Sequence, residues 1–297
     1  MSTSWAGKGV PTGAPWRTSR RVWGPQGAAT AMLWSPTGGA TSSQGPAGGF
    51  VTLADGYLKL WNVGDGRFEE AGSVSVCDGG SGGAAAARGA PAAAWDPHRP
   101  AEVATAVSCG VACWDLRTMR AATSVTEAHR FAIRDLDYNP NKPFCLATGG
   151  EDRLIKFWDL RRPNAPVKTI VGHEHWVNTV KYNRFHDQLL VSGGSDCMVH
   201  LWRVSSVSSA PLLENEDDDD YGLDGDAGGG DVGGFSGGNR SRGEAADIRV
   251  RTFDEHEESV YSLAWSASDA WVMASLSYDG LVVLNHVPST EKYKILL

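Results

Sequence analysis

The chain has 297 residues, 41% hydrophobic and 21% charged, enough for one large globular domain or two small ones. Five cysteines against 36 glycines exclude a disulfide scaffold, and no apolar run reaches the roughly 18 residues of a membrane-spanning helix. The net charge of −8 is local: Glu214, Glu216, Asp217, Asp218, Asp219, Asp220, Asp224, Asp226 and Asp231 stand in a stretch without Lys or Arg, and setting these nine aside leaves +1. No basic field points to nucleic acid.

In chain order, residues 1–30 hold Lys8, Arg17, Arg20 and Arg21, no acidic residue, and frequent Gly and Pro. They are expected to be a disordered or ill-defined leader, without the apolar stretch of a signal peptide. Residues 31–297 read as a series of repeats. A first, worn copy has Trp34-Ser35-Pro36, then Asp55-Gly56 and Trp61; a second has Trp95-Asp96-Pro97, Thr105 and Trp114-Asp115, its turn one residue short and without the Asp. The third and fourth copies carry Thr148, Asp152, Trp158 and Ser192, Asp196, Trp202; the last carries Ser275 and Asp279, with Asn285 at the Trp position. In these three copies a His (His129, His173, His256) lies 29 residues before that position, and an aromatic followed by Asn or Ser (Tyr138-Asn139, Tyr182-Asn183, Trp265-Ser266) lies 20 before it. Trp114, Trp158 and Trp202 are 44 residues apart. Short β-branched runs separated by Gly-Gly or Asp-Gly turns predict several strands per copy, as in a four-stranded propeller blade.

The Gly-His173 pair, Ser192, Asp196 and the Trp114-Asp115 and Trp158-Asp159 dipeptides resemble WD repeats. The resemblance implies an all-β WD-repeat β-propeller with five recognisable blades, where seven are the family's expectation; either N-terminal blades are lacking and the ring is incomplete, or the leader and residues 62–90 supply degenerate strands. It also implies two hydrogen-bonded tetrads, His129–Thr148–Asp152–Trp158 and His173–Ser192–Asp196–Trp202. In each, a hydroxyl accepts from the buried indole and from the His, whose other nitrogen donates to the Asp. The last copy, His256–Ser275–Asp279, is expected to be shorter or rewired.

A Ser, a His and an Asp suggest a hydrolase, but catalytic triads occur once per site and these recur from copy to copy without a nucleophile elbow. No catalytic, cofactor or metal residue is assigned. His173-Glu174-His175 with His186 lacks zinc-type spacing, and the Gly-rich stretches at 79–83 and 228–238 lack the Lys-Ser/Thr and helix of a phosphate loop. Cys77, Cys109, Cys113, Cys145 and Cys197 read as free thiols of a reducing compartment. Residues 214–247 interrupt the fifth copy with an acidic, then Gly-rich insert, expected to be disordered. Propellers bind partners through loops between blades, which makes Phe131, Arg134, Trp176, Asn178 and Tyr261 candidates for partner contact.

The segments Arg134–Lys142, His175–Asn178, Tyr182–Leu190, His256–Tyr261, Ala274–Gly280 and Tyr293–Leu297, with the acidic insert before the last repeat, are similar to the EARP- and GARP-complex-interacting family. That resemblance implies a non-enzymatic scaffold in the cytoplasm, peripheral to the trans-Golgi network and endosomes. It would bind subunits of a vesicle-tethering complex in endocytic recycling and retrograde transport, without cofactor, nucleic acid or membrane insertion, and be a monomer outside its complex. The two Trp-Asp-Leu-Arg runs, ending at Arg117 and Arg161, are similar to the WDxR signature of substrate receptors of cullin-type ubiquitin ligases, which is the alternative reading.

Overall fold

Alternation of apolar and polar residues in short runs builds antiparallel sheets throughout the chain. A computed structural model describes residues 29–36, 49–54, 56–64, 67–76, 92–210 and 247–296. The leader through residue 28, the Gly-rich stretches and the acidic segment to residue 246 lie outside the described residues. The first sheet comprises β1 (Ala29–Trp34), β2 (Phe50–Ala54), β3 (Tyr57–Gly64) and β4 (Arg67–Ser75). The second comprises β5 (Ala93–Trp95), β6 (Glu102–Val107), β7 (Gly110–Asp115) and β8 (Arg120–Val125). The third has β9 (Ile133–Tyr138), β10 (Cys145–Gly150), β11 (Leu154–Asp159) and β12 (Lys168–Val171). The fourth has β13 (Val177–Tyr182), β14 (Leu189–Gly194), β15 (Val199–Val204) and β16 (Asp247–Phe253). The fifth has β17 (Val260–Trp265), β18 (Val272–Ser277) and β19 (Val282–His286), and a helix α1 (Ser289–Leu296) follows it.

Each sheet is an antiparallel meander in chain order. The first strands of successive sheets are neighbours, from β1 to β5, β9, β13 and β17, so they line the inner side of a row of blades. This is the WD-repeat β-propeller architecture. Two boundaries differ from the sequence reading, and one of its alternatives is met. β1 begins at Ala29, inside the expected leader. Residues 67–75, inside the stretch offered for degenerate strands, supply the fourth strand of the first blade. Asp247 starts β16, whose partner is β15; the acidic insert therefore interrupts the fourth blade rather than the fifth, because each blade takes its outer strand from the sequence after its Trp.

One packing pattern joins the blades. The third strand of a blade turns two apolar residues toward its successor: Val111 and Cys113, Ile155 and Phe157, Val199 and Leu201, all buried. The successor meets them with three residues aligned across its first three strands. Tyr138, Leu146 and Trp158 do so in the third blade, and Tyr182, Leu190 and Trp202 in the fourth. In the second blade Trp95, Val103 and Trp114 meet Leu58 and Leu60 in the same way. Alternate strand residues thus face opposite neighbours, and the second, third and fourth blades are buried on both faces.

Polar staples reinforce these junctions. Asp135 of β9 accepts hydrogen bonds from the Thr179 hydroxyl at 2.9 Å and the Val180 N–H at 3.0 Å, and pairs with Lys181 at 2.8 Å. Two residues on, Asp137 accepts the Tyr182 N–H at 2.9 Å. Burial pushes the Asp137 carboxyl up to about 6, against the pull of Lys181 and that N–H.

Candidate functional site

The residues that look reactive in the sequence are hydrogen-bonded struts. In the third blade, Trp158 donates its indole N–H to Thr148 Oγ1 at 3.0 Å, Thr148 Oγ1 lies 2.7 Å from His129 Nε2, and His129 Nδ1 lies 2.8 Å from Asp152 Oδ1. The fourth blade repeats this, with Trp202 to Ser192 at 2.8 Å, Ser192 to His173 Nε2 at 2.7 Å and His173 Nδ1 to Asp196 at 2.9 Å. Asp152 and Asp196 also receive backbone N–H groups, from Arg130 and Leu154 and from Glu174 and Met198. A carboxylate only accepts, so Nδ1 carries a proton. The hydroxyl oxygen accepts the indole N–H and so links the Trp to the His in both blades.

Burial opposes ionisation of Asp152 and Asp196, but hydrogen bonds from the histidines and the turn N–H groups outweigh it and hold both carboxyls below the ordinary range. The tightness of this corner explains a glycine. A Cβ on Gly194 would stand 2.5 Å from Asp196 Oδ1 and 2.6 Å from His173 Nδ1, inside the bond that closes the tetrad.

The other blades hold shortened versions. His256 lies 2.8 Å from Ser275 and 3.0 Å from Asp279, and Asn285, buried, stands where an indole would donate. Trp114 donates to Thr105 at 2.8 Å and Trp61 to Thr52 at 2.9 Å. The residue after the turn Asp adopts left-handed backbone in three blades: Arg153 (φ 67°), Cys197 (φ 65°) and Gly280 (φ 82°). Glycine at the third of these positions avoids the strain that the other two carry.

The loops that lead into the first strands carry exposed aromatic and charged groups. Trp176 is partly exposed, with the Arg134 guanidinium 4.7 Å above its ring and His175 5.0 Å away. Arg134 also pairs with Glu151 at 3.0 Å. Phe131 is exposed beneath the Arg130 guanidinium at 5.4 Å. Tyr261 packs on Tyr278 at 4.6 Å between centroids, and both are exposed. Tyr278 carries no repeat signal and escaped the sequence reading. Asn178 is used inside the fold: its amide donates to Ser195 Oγ at 2.9 Å and to the Val260 carbonyl at 3.0 Å. Arg117 and Arg161 fold back on Asp115 and Asp159, at 3.3 and 2.7 Å.

The sequence profile of the EIPR1 beta-propeller matches residues 54–202, half of the chain. The chain belongs to the EIPR1 beta-propeller family. A second profile, the WD domain, G-beta repeat, matches residues 248–284. Among curated relatives, the chain is 37% identical over 248 residues to the EARP and GARP complex-interacting protein 1 of Homo sapiens, covering 83% of this chain and 61% of that one. It is 40% identical to the EARP-interacting protein homolog of Danio rerio with the same shares covered. Against the Dictyostelium discoideum homolog the identity is 42% over 247 residues, covering 80% of this chain and 58% of that one. The chain spans about three fifths of the length of the relatives it matches.

Within this family member, the Asn and Ser after the repeat aromatics have a role that spacing did not reveal. Asn139 Oδ1 caps the turn N–H groups of Asn141 and Lys142 at 2.8 and 2.7 Å, and Asn183 Oδ1 caps those of Phe185 and His186 at 2.9 and 3.0 Å. Their amides then reach the same position of the next blade, Asn139 to Asp187 at 2.9 Å and Asn183 to the Ala270 carbonyl at 2.6 Å.

Among the described residues, His173, Asp196 and His200 form the one cluster whose donor atoms lie within 4.8 Å of one another. Both nitrogens of His173 already serve its tetrad, so the cluster is better read as packing than as a ligand set. The His200 ring lies 4.3 Å from that of His173, tilted by 43°, and its Nδ1 is 3.1 Å from Thr252 Oγ1. Burial, then the nearby His173 and Arg249, push the His200 imidazole down to about 4. A folded-state value below the unfolded one, near 6.5, means that stability is fully present above about pH 6.5. It is lost as pH falls toward 4. Unfolding free energies measured at pH 7 and pH 4.5 should show His200→Gln losing roughly 2 kcal/mol less than the parent chain across that interval; equal losses would refute the role given to His200.

Proposed function

We propose that the chain is a non-enzymatic scaffold that binds a subunit of an EARP- or GARP-type tethering complex through its loop face. It would act in the cytoplasm, at endosomes and the trans-Golgi network, in recycling and retrograde transport. The observation that carries this reading is membership of a family whose relatives are named for interaction with those complexes. The geometry supports it. The repeated Ser/Thr, His and Asp side chains are consumed in structural networks, whereas Phe131, the Arg134–Trp176 pair and the Tyr261–Tyr278 pair face outward. Exposed aromatic and Arg side chains of this kind are the usual anchors of protein interfaces.

The ligase-receptor alternative rests on Arg117 and Arg161, and the local pairs with Asp115 and Asp159 account for both. Pull-downs with the full chain separate the readings. Tethering subunits should be captured, and Trp176→Ala combined with Tyr261→Ala should weaken capture at least ~tenfold, about 1.4 kcal/mol. Arg117→Ala with Arg161→Ala should leave capture unchanged. Recovery of the cullin adaptor instead, lost on changing the two arginines, would establish the alternative.

A further inference from the structure

Beside each hydrogen-bonded network the repeat holds a pair of positions whose chemistry changes from blade to blade. One lies five residues after the repeat His and the other one residue before the turn Asp: Arg134 and Glu151 in the third blade, Asn178 and Ser195 in the fourth, Tyr261 and Tyr278 in the fifth. The two side chains meet every time, as an ion pair at 3.0 Å, an amide-to-hydroxyl hydrogen bond at 2.9 Å, and rings with centroids 4.6 Å apart. In the third and fourth blades the first member also reaches the next blade: Arg134 lies over Trp176, and Asn178 donates to the Val260 carbonyl.

The third blade, with described blades on both sides, makes this corner cationic. Around its turn, Asp152 accepts the backbone N–H of Arg130, Glu151 pairs with Arg134, and Arg153 stands on the turn itself. Lys156 lies 4.0 Å from Asp152 and donates to the Ala128 carbonyl. Four cations against the two carboxylates Glu151 and Asp152 leave the groups on or bonded to this turn at +2. At the places of the four cations the fourth blade has Glu174, Asn178, Cys197 and His200, so the excess belongs to the third blade. These arginines have donors to spare. A guanidinium offers several N–H groups in a planar fork; Arg134 meets Glu151 through Nη2, and its Nε is buried without a partner. Arg130 and Arg153 are exposed, and among the described residues neither pairs with a carboxylate. Two rings lie under the guanidinium groups of Arg130 and Arg134 and are themselves open to solvent, Phe131 at 51% and Trp176 at 39%.

We propose that this corner receives an acidic segment of a partner protein, its carboxylates held by Arg130, Arg134 and Arg153 and an adjacent apolar side chain laid on Phe131 and Trp176. Arginine is suited to carboxylates because its fork of N–H donors matches their two oxygens. The rings supply the apolar area that anchors an interface, and the excess of positive charge selects against a basic segment. The proposal deepens the tethering reading, and only the identity of the partner rests on that reading.

Fluorescence anisotropy on the full chain tests the chemistry, with a labelled Glu-Glu-Phe-Glu-Glu peptide as probe and Lys-Lys-Phe-Lys-Lys as control. The acidic probe should bind at least ~tenfold more tightly than the basic one at low salt, and the difference should shrink as added salt screens the charges. Arg130→Glu with Arg153→Glu, at exposed positions and with an unchanged circular dichroism spectrum, should cost the acidic probe at least ~tenfold, whereas Arg130→Lys with Arg153→Lys, which keeps the charge, should cost less than ~threefold. Trp176→Ala should bring the probe down to the level of Glu-Glu-Gly-Glu-Glu. Capture of the tethering subunit should fall with the same Glu variant. An acidic probe that does not bind, that binds no better than the basic one, or that binds the Glu variant equally well overturns the proposal. So does a subunit captured equally by parent and Glu variant, which leaves the tethering reading standing. A probe that behaves as expected while no tethering subunit is captured upholds this surface and overturns the tethering reading alone.

Discussion

Ser192→Ala lowers the unfolding free energy by about 2–4 kcal/mol, and Ser275→Ala by only about 1–2. The two serines hold the same place in successive blades, and each is within hydrogen-bond reach of a buried imidazole, at 2.7 Å for Ser192 and 2.8 Å for Ser275. They differ in what else they serve. Ser192 takes the indole N–H of Trp202 at 2.8 Å; at the corresponding place the last blade has Asn285. Removing the Ser192 hydroxyl strands two buried groups, and removing that of Ser275 strands one, each costing about 1–3 kcal/mol when no water replaces the partner. Urea unfolding of the two variants, with unchanged denaturant slopes, measures the difference. Pairing Ser192→Ala with Trp202→Phe should return the part of the loss due to the indole, because the stranded donor is then gone. Equal losses at both serines would show that the indole bond is not what the fourth blade's hydroxyl is for.

What could be read before any coordinates was whatever repeats. His129, Thr148, Asp152 and Trp158 and their counterparts 44 residues on form one local network, so their spacing is rigid and visible in the sequence. Features that depend on a single tertiary meeting left no such trace. β16 pairs Arg249 with Trp202 across the whole acidic insert, and since the cost of closing a loop grows only slowly with its length, nothing local fixes where the outer strand must come. Asn139 caps its own turn, but its amide bonds Asp187, 48 residues away. Asp135 and Asp137 look like solvated strand residues, yet both reach into β13. At the surface, the loop position of Asn178 suggests a partner contact, but its amide donates to Ser195 and Val260 inside the fold. Tyr278, exposed against Tyr261, lies in the turn between β18 and β19 and shares no residue type with Glu151 and Ser195 at the same place in the other copies.

The largest single loss should come from Glu291→Ala, about 3–5 kcal/mol. Glu291 lies in the first turn of α1, where the helix dipole favours a carboxylate. Both its oxygens lie 3.3 Å from Nη1 of Arg203, on β15 of the fourth blade. The two side chains are almost wholly buried, so the pair ties the terminal helix back across the fifth sheet. Taking away the carboxylate removes an ion-pair partner from a guanidinium whose side chain is only 3% exposed, and loss of a partner to a buried charge is costly. Replacing both partners, Arg203→Met with Glu291→Leu, should cost far less than either single change, because no charge remains to be buried. If α1 is held mainly by this pair, hydrogen exchange at 289–296 should accelerate in Glu291→Ala and return toward the parent rate in the double variant. A helix that exchanges at the same rate in all three chains would mean that Ile295 and the stacking of Lys292 over Trp271 at 5.8 Å hold it instead.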